Sequence, residues 1–266
     1  KYMSRILRQL LSVALIVVYC VSCGCATLFD VSSAGSFKHS PRSSFVKLIV
    51  TTTEYISMGS GVIINHFNKT NTIILTAGHV CHDTTLNIEV LDLEEKSYKS
   101  TGQIVAKEDD LCLVIVEGLI DAPAIKVAGS PLAIGEHAYN IAAPLGMHAP
   151  NMSLMFDGYF QGSVRLEEEK HPLDIYSIPG IGGSSGSPVF NANWEIIGIV
   201  SRAIPKFPEF VFCVNQERIK AFYDYALSEQ FEKDKLVAEA SQKIRLLDFI
   251  NKLLQLRAQQ KNPANL

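Results

Sequence analysis

The chain carries little charge and no surplus of either sign. Charged residues make up 19% of its 266 positions, and 24 Lys and Arg stand against 27 Asp and Glu. Without excess cations there is nothing to neutralise a phosphate backbone, so no nucleic-acid partner is expected. Cysteine is scarce too, with six in all, and Cys20, Cys23 and Cys25 fall in the first 29 residues. The body is left with Cys81, Cys112 and Cys213, too few for a disulfide scaffold. An odd number permits at most one bridge and one spare thiol; three small buried apolar residues is the simpler reading. The seven histidines show neither HExxH nor Cys-pair spacing, and there is no G-x-G-x-x-G or phosphate loop. No metal and no cofactor is therefore expected. Long helical patterns between the apolar runs are missing as well, which argues against a parallel α/β sheet. Apolar residues are plentiful, at 47%, so a buried core is available and disorder is excluded.

The N-terminal segment reads as a leader. Lys1, Arg5 and Arg8 form a positive start, and no charge occurs from Gln9 to Phe29. Residues 1–29 are expected to be a signal peptide or signal anchor, since at about 1.5 Å per residue such a run can span roughly 30 Å of hydrocarbon. Gly24-Cys25-Ala26-Thr27 also has the look of a lipoprotein junction. Each version places the remainder outside the cytoplasm, exported or membrane-anchored, because positive charge stays inside. Residues 30–44 are polar and Ser-rich, the composition of a tether.

From Phe45 to Val214 the chain is a series of short β-branched runs, among them FVKLIV, GVIINHF, TIILTA, LCLVIV and EIIGIVS, separated by Gly, Pro, Asn and Asp. This is the pattern of an all-β barrel or sandwich. After it, Gln216–Ala226 reads as a helix capped by Asn215, with Ile219 and Phe222 on one face. Residues 227–266 continue at helical spacing as an amphipathic C-terminal helix, packed on the body or, alternatively, making a homo-oligomer contact.

Three segments carry the chemistry: Thr76-Ala77-Gly78-His79-Val80, Asp109-Asp110-Leu111-Cys112-Leu113, and Gly182-Gly183-Ser184-Ser185-Gly186-Ser187-Pro188. Alone, each is an ordinary strand end or loop. In the order His, Asp, Ser they supply a general base, its orienter and a nucleophile. Asp109 competes with Asp110, and Ser184 and Ser187 compete with Ser185. Asp110 directly precedes the Leu-x-Leu strand, and Ser185 has glycine two before and one after it.

TAGHV, D-L-x-L and G-x-S-G-S-P resemble the three active-site motifs of trypsin-like serine peptidases, most closely the HtrA/Deg branch and its phage or viral relatives. Ala138–Gly146 (AYNIAAPLG) and Asn193–Ala203 (NWEIIGIVSRA) are similar to two further segments of that branch. The resemblance spans about residues 45–225. It implies a chymotrypsin-like double barrel of two six-stranded antiparallel β-barrels, the first about 45–125, the second about 126–215, closed by a helix at 216–226. It implies His79, Asp110 and Ser185 as catalytic residues, and the backbone N–H groups of Gly183 and Ser185 as the oxyanion hole.

The expected activity is a serine endopeptidase acting on polypeptide, with a catalytically inactive peptide-binding or assembly protein on the same fold as the alternative. Substrate-contacting residues are expected at Ile178, Ile181, Val200, Ser201 and Ala203. Pro179 stands where an acid would select Lys or Arg, so cleavage after small or medium aliphatic residues follows. Ser184 replaces the aspartate of zymogen activation, and the residues after Ala226 are too few for a PDZ domain.

Overall fold

A computed structural model describes residues 41–67, 70–81, 85–167, 169–204 and 206–228. The leader, most of the 30–44 segment and the helix expected beyond 228 lie outside the described residues. Among the described residues no helix is long and apolar enough to cross a membrane.

The β-branched runs form twelve strands in two closed antiparallel barrels. The first barrel contains β1 (Phe45–Thr52), β2 (Ile56–Phe67), β3 (Asn71–Ala77), β4 (Thr85–Leu91), β5 (Ser97–Ala106) and β6 (Leu111–Glu117). Around the ring they run β1-β2-β3-β6-β5-β4. The second contains β7 (His137–Ala142), β8 (Leu154–Val164), β9 (Leu173–Tyr176), β10 (Pro188–Phe190), β11 (Ile196–Ile204) and β12 (Phe207–Asn215), in ring order β10-β11-β12-β9-β8-β7. Alternation sets the inward faces: Val46, Leu48 and Val50 of β1 are fully buried, and Ile74, Leu75, Leu111 and Leu113 fill the same core. Each such side chain contributes about 1.5–3 kcal/mol by leaving water.

Register places the site. β3 and β6 pair antiparallel up to Thr76↔Cys112 and Ala77↔Leu111. The turn after β3 and the residue before β6 therefore leave the first barrel side by side. In the second barrel, Pro188 of β10 pairs with Ile199 of β11, which brings the loop before β10 against Val200. The connection between barrels is stitched to both: Ile125 N donates to Ile63 O (2.9 Å), and Ala128 N to Ile196 O (2.8 Å).

Helix α1 (Gln216–Ala226) starts as its cap requires, with the Asn215 side chain accepting from Arg218 N. Ile219 and Phe222 are buried, and Asn65 of the first barrel donates to the Tyr223 hydroxyl. Ser43 and Ser44, in a short 3-10 turn at Pro41–Ser44, are also buried. The preferred reading of the body cysteines needs correction: Cys81 and Cys112 form a disulfide, and only Cys213 is a buried free thiol. Three cysteines offer three pairings, and only strand register selects one.

Candidate active site

His79 sits in a one-turn 3-10 helix, Gly78–Val80, that continues β3. Asp110 caps a second such turn, Lys107–Asp109, in the left-handed conformation (φ 50°, ψ 45°). A left-handed non-glycine residue is strained, and such strain gathers where a side chain must be aimed. Here it turns the carboxylate onto His79. Asp110 Oδ1 accepts from the His79 backbone N–H (2.7 Å), and both carboxylate oxygens lie 3.0 Å from His79 Nδ1. The Ser201 hydroxyl donates to Oδ2 (2.5 Å). Burial opposes the charge on Asp110, but the hydrogen bonds and attraction of His79, with the Ser201 hydroxyl, hold its carboxyl below the usual carboxylate range. Asp109 faces elsewhere: Arg218 of α1 grips it with Nε and Nη2 at 2.8 and 2.7 Å.

Ser185 is partly exposed, whereas its neighbours Ser184 and Ser187 are buried. Its loop is pinned to the first barrel, where Ser60 N donates to Ser185 O (2.8 Å). Gly186, at φ +82°, packs so tightly that a Cβ would lie 2.0 Å from Thr76 Oγ1, at the end of the strand carrying His79. Among the described residues the Ser185 hydroxyl has no hydrogen-bond partner, His79 included. Such contacts commonly close only when substrate is bound.

Backbone donors distinguish this loop. Ser184 N donates to Ile181 O, Gly186 N to Val200 O, and Ser187 N to Ser184 O. Among the described residues, Gly182 N, Gly183 N and Ser185 N donate to nothing. Leu145 N holds Gly182 O (2.7 Å), and because the peptide is trans, the N–H of Gly183 is turned away from Leu145. Gly183 at φ +96° adopts a conformation open to glycine, and a Cβ there would meet Ala143 O at 2.5 Å. Ser60 braces the same loop, its hydroxyl donating to Gly183 O (2.8 Å) and accepting from Ala143 N (3.1 Å).

Beside His79 opens a cleft of about 670 Å³ lined by Lys107, Glu108, Asp110, Glu169, Lys170, Ser201 and Arg202. Lys170 pairs with Glu108, and Arg202 with Glu169. Of the residues expected to contact substrate, Ile178 and Val200 are buried in the second core, Ile181 is half exposed, and Ala203 is partly buried. Ser201 turns its hydroxyl to Asp110. Gly180 packs directly on β11 and β12, where a Cβ would lie 2.4 Å from Val211 Cγ1 and 3.0 Å from Ala203 Cβ. Two roles escaped sequence reasoning, Ser201 as a donor to Asp110 and Ser60 as a brace for the Gly183 loop. The Gly59-Ser60-Gly61 triplet on an apolar strand was the available signal for the second. Among the described residues no cluster of His, Cys, Asp or Glu could hold a metal ion.

Two closed six-stranded barrels with a histidine–aspartate pair on one and a glycine-built serine loop on the other define the class of double-barrel peptidases. A profile of the trypsin-like peptidase domain matches residues 59–199, and the chain belongs to that family. It is 30% identical over 165 residues to proteins of two Pseudomonas putida strains named as probable periplasmic serine endoproteases, DegP-like, covering 58% of this chain. The chain spans 31% of the length of those curated relatives. Its fold is shared with the Rv3671c protease of M. tuberculosis in its active form (TM-score 0.58, 18% identity, 68% of this chain and 79% of that one). It is shared too with a serine endoprotease of Yersinia pestis (TM-score 0.59, 18% identity, 71% and 65%).

Proposed function

We propose that the protein is a serine endopeptidase that cleaves polypeptides through an acyl-enzyme, with Ser185 as nucleophile, His79 as general base and Asp110 as its orienter. The observation that carries this reading is that Gly183 N and Ser185 N are unpartnered in a loop where the N–H groups of Ser184, Gly186 and Ser187 are occupied. They are the two donors a tetrahedral oxyanion needs, worth about 3–4 kcal/mol each in the transition state. His79 takes the Ser185 proton and returns it to the leaving amine. Asp110, kept ionised by its three donors, holds the imidazole with Nδ1 toward it and stabilises the imidazolium.

The apolar surroundings of Gly180, with Ile178, Val200 and Val211 nearby in the second core, favour small or medium aliphatic side chains before the scissile bond. Ile181 and Ala203 line its approach. The DegP-like relatives are named as periplasmic, and the apolar segment 9–29 with its positive flank supports export or membrane anchoring of this chain. The amphipathic stretch 227–266 is proposed to pack on the body or to join two copies.

Labelling with a fluorophosphonate, followed by peptide mapping and a casein-digestion assay, tests the reading. Modification of Ser185 with loss of casein cleavage is expected. A folded chain that neither labels at Ser185 nor cleaves is a peptide-binding protein on the same fold.

A further inference from the structure

We infer that the Cys81–Cys112 disulfide is a positioning clamp for the His79–Asp110 pair, a role that rests on the peptidase reading above. The ladder between β3 and β6 ends at Ala77↔Leu111. Beyond that pair the ladder stops, and the turn lies against Asp110 by contact, where a Cβ on Gly78 would meet the Asp110 and Leu111 backbone at 2.9 Å. The disulfide lies just past this point on one chain and just before it on the other. Cys81 N closes the 3-10 turn of His79 by donating to Gly78 O (3.0 Å), and Cys112 is the second residue of β6, directly after Asp110 and Leu111.

Each member of the pair is thus two residues from a sulfur. A short covalent path, His79-Val80-Cys81 to Cys112-Leu111-Asp110, is closed by the hydrogen bonds of His79 to the carboxylate. Without the bridge the link between the two residues runs through the β3–β6 ladder and through non-covalent contacts alone.

Both cysteines are buried, Cys81 at 3% and Cys112 at 0% exposure, so solvent reductants do not reach the bridge in the folded protein. It is therefore a permanent clamp rather than a switch. Neither sulfur belongs to the cleft beside His79. The cysteines act through His79 and Asp110 and are positioning residues.

The test is kinetic. The full chain and its Cys81→Ala/Cys112→Val variant are compared on a peptide substrate below the melting temperature of both, with the bridge in the parent verified by non-reducing peptide mapping. The expected result is a kcat lowered about 10- to 100-fold with KM unchanged. The acid limb of the kcat/KM profile moves to lower pH, because a less firmly held carboxylate stabilises the imidazolium less. A melting temperature that falls while kcat and the acid limb stay put makes the bridge structural only and overturns the clamp; unpaired Cys81 and Cys112 in the parent overturn it as well.

If the double variant does not fold, the parent is refolded from denaturant with rising amounts of a phosphine, so that a known fraction folds with its thiols unpaired. Activity that tracks the linked fraction supports the clamp, and activity independent of it refutes it. A parent chain without peptidase activity would sink the catalytic reading instead. The clamp is then decided by the low-field proton resonance of His79 Nδ1–H, present in the bridged chain and lost in the variant if the clamp holds, unchanged if it does not.

Discussion

The two barrels follow the same ring order of strands yet hold their parts of the site by different means. The first delivers two side chains, and it secures them with a disulfide, a strained aspartate and two donors of His79 on one carboxylate. The second delivers backbone N–H groups, and it secures peptide planes with Gly183 and Gly186 at positive φ and with carbonyls held by Leu145 and Ser60. The difference follows from what must be oriented. A side chain is aimed by tethering the residues that bear it, while a peptide plane is aimed by fixing φ and ψ, which here needs residues without a Cβ. Each barrel also lends the other a hydroxyl: Ser60 braces the Gly183 loop, and Ser201 braces Asp110.

Removing the reacting groups gives the largest effects. Ser185→Ala should abolish measurable amide hydrolysis, and adding His79→Ala should cost little more, because the triad acts as a unit. Asp110→Asn should lower kcat by about 10⁴ through the wrong imidazole tautomer. Asp109→Asn should keep kcat and lose stability through its freed Arg218 partner. Steady-state kinetics on the four variants, with melting curves, checks this, and the reverse order for the two aspartates would move the orienter by one residue.

Next in size is the second barrel's device. Gly183→Ala should lower kcat about 10²–10³-fold with a smaller change in KM, since a displaced donor is missed only in the transition state. A change confined to KM would remove Gly183 from the oxyanion hole. The exchanged hydroxyls come third. Ser201→Ala removes a donor to a charged acceptor, worth about 1.5–3 kcal/mol, and should lower kcat about tenfold or more. Ser60→Ala should act on the opposite barrel's loop with a similar loss. If the hydroxyls brace separate parts, the double variant is additive in log kcat; strong non-additivity would make the two barrels one coupled unit.

The smallest effect separates two carboxylates, Asp110 and Asp174. Asp110 is held below its ordinary range, so its contribution to stability is present above the unfolded value and lost as pH falls through the folded one. Asp174, buried in the second barrel, is shifted the other way. Burial raises its carboxyl despite hydroxyls donated by Ser163 (2.6 Å) and Tyr176 (3.5 Å). A raised carboxyl favours the folded state below the unfolded value, and that advantage is lost as pH rises through the folded one. Asp174→Asn should therefore raise the melting temperature by a few degrees at neutral pH and lose that gain toward acid. Calorimetry across pH reads it directly; a gain that persists in acid would place the effect in packing.

Much of this was legible in the chain. Short β-branched runs with Gly, Pro and Asn between them specify strands because alternation and turn chemistry are local. Asn215 as a cap and Ile219 with Phe222 as a buried face are local in the same sense. His79, Asp110 and Ser185 stood out because their neighbours, Gly78, Leu111 and Gly186, are what the backbone there requires. The bridge partner of Cys81 was not legible, since three pairings satisfy the composition equally. Nor was the hydroxyl exchange between Ser60 and Ser201, because each bond joins residues more than 90 positions apart: Ser60 to Gly183 at a separation of 123, and Ser201 to Asp110 at 91.

By itself, then, the sequence determined the class of fold and the segments from which the candidate site is built, since periodicity, capping and glycine placement act over a few residues. Tertiary structure alone decided which cysteines join, that Asp109 meets Arg218, and which backbone donors stay free. Those outcomes depend on register between β3 and β6 and on how one barrel's hydroxyls meet the other's carbonyls and carboxylate. Only the closed barrels, packed together, fix those distances.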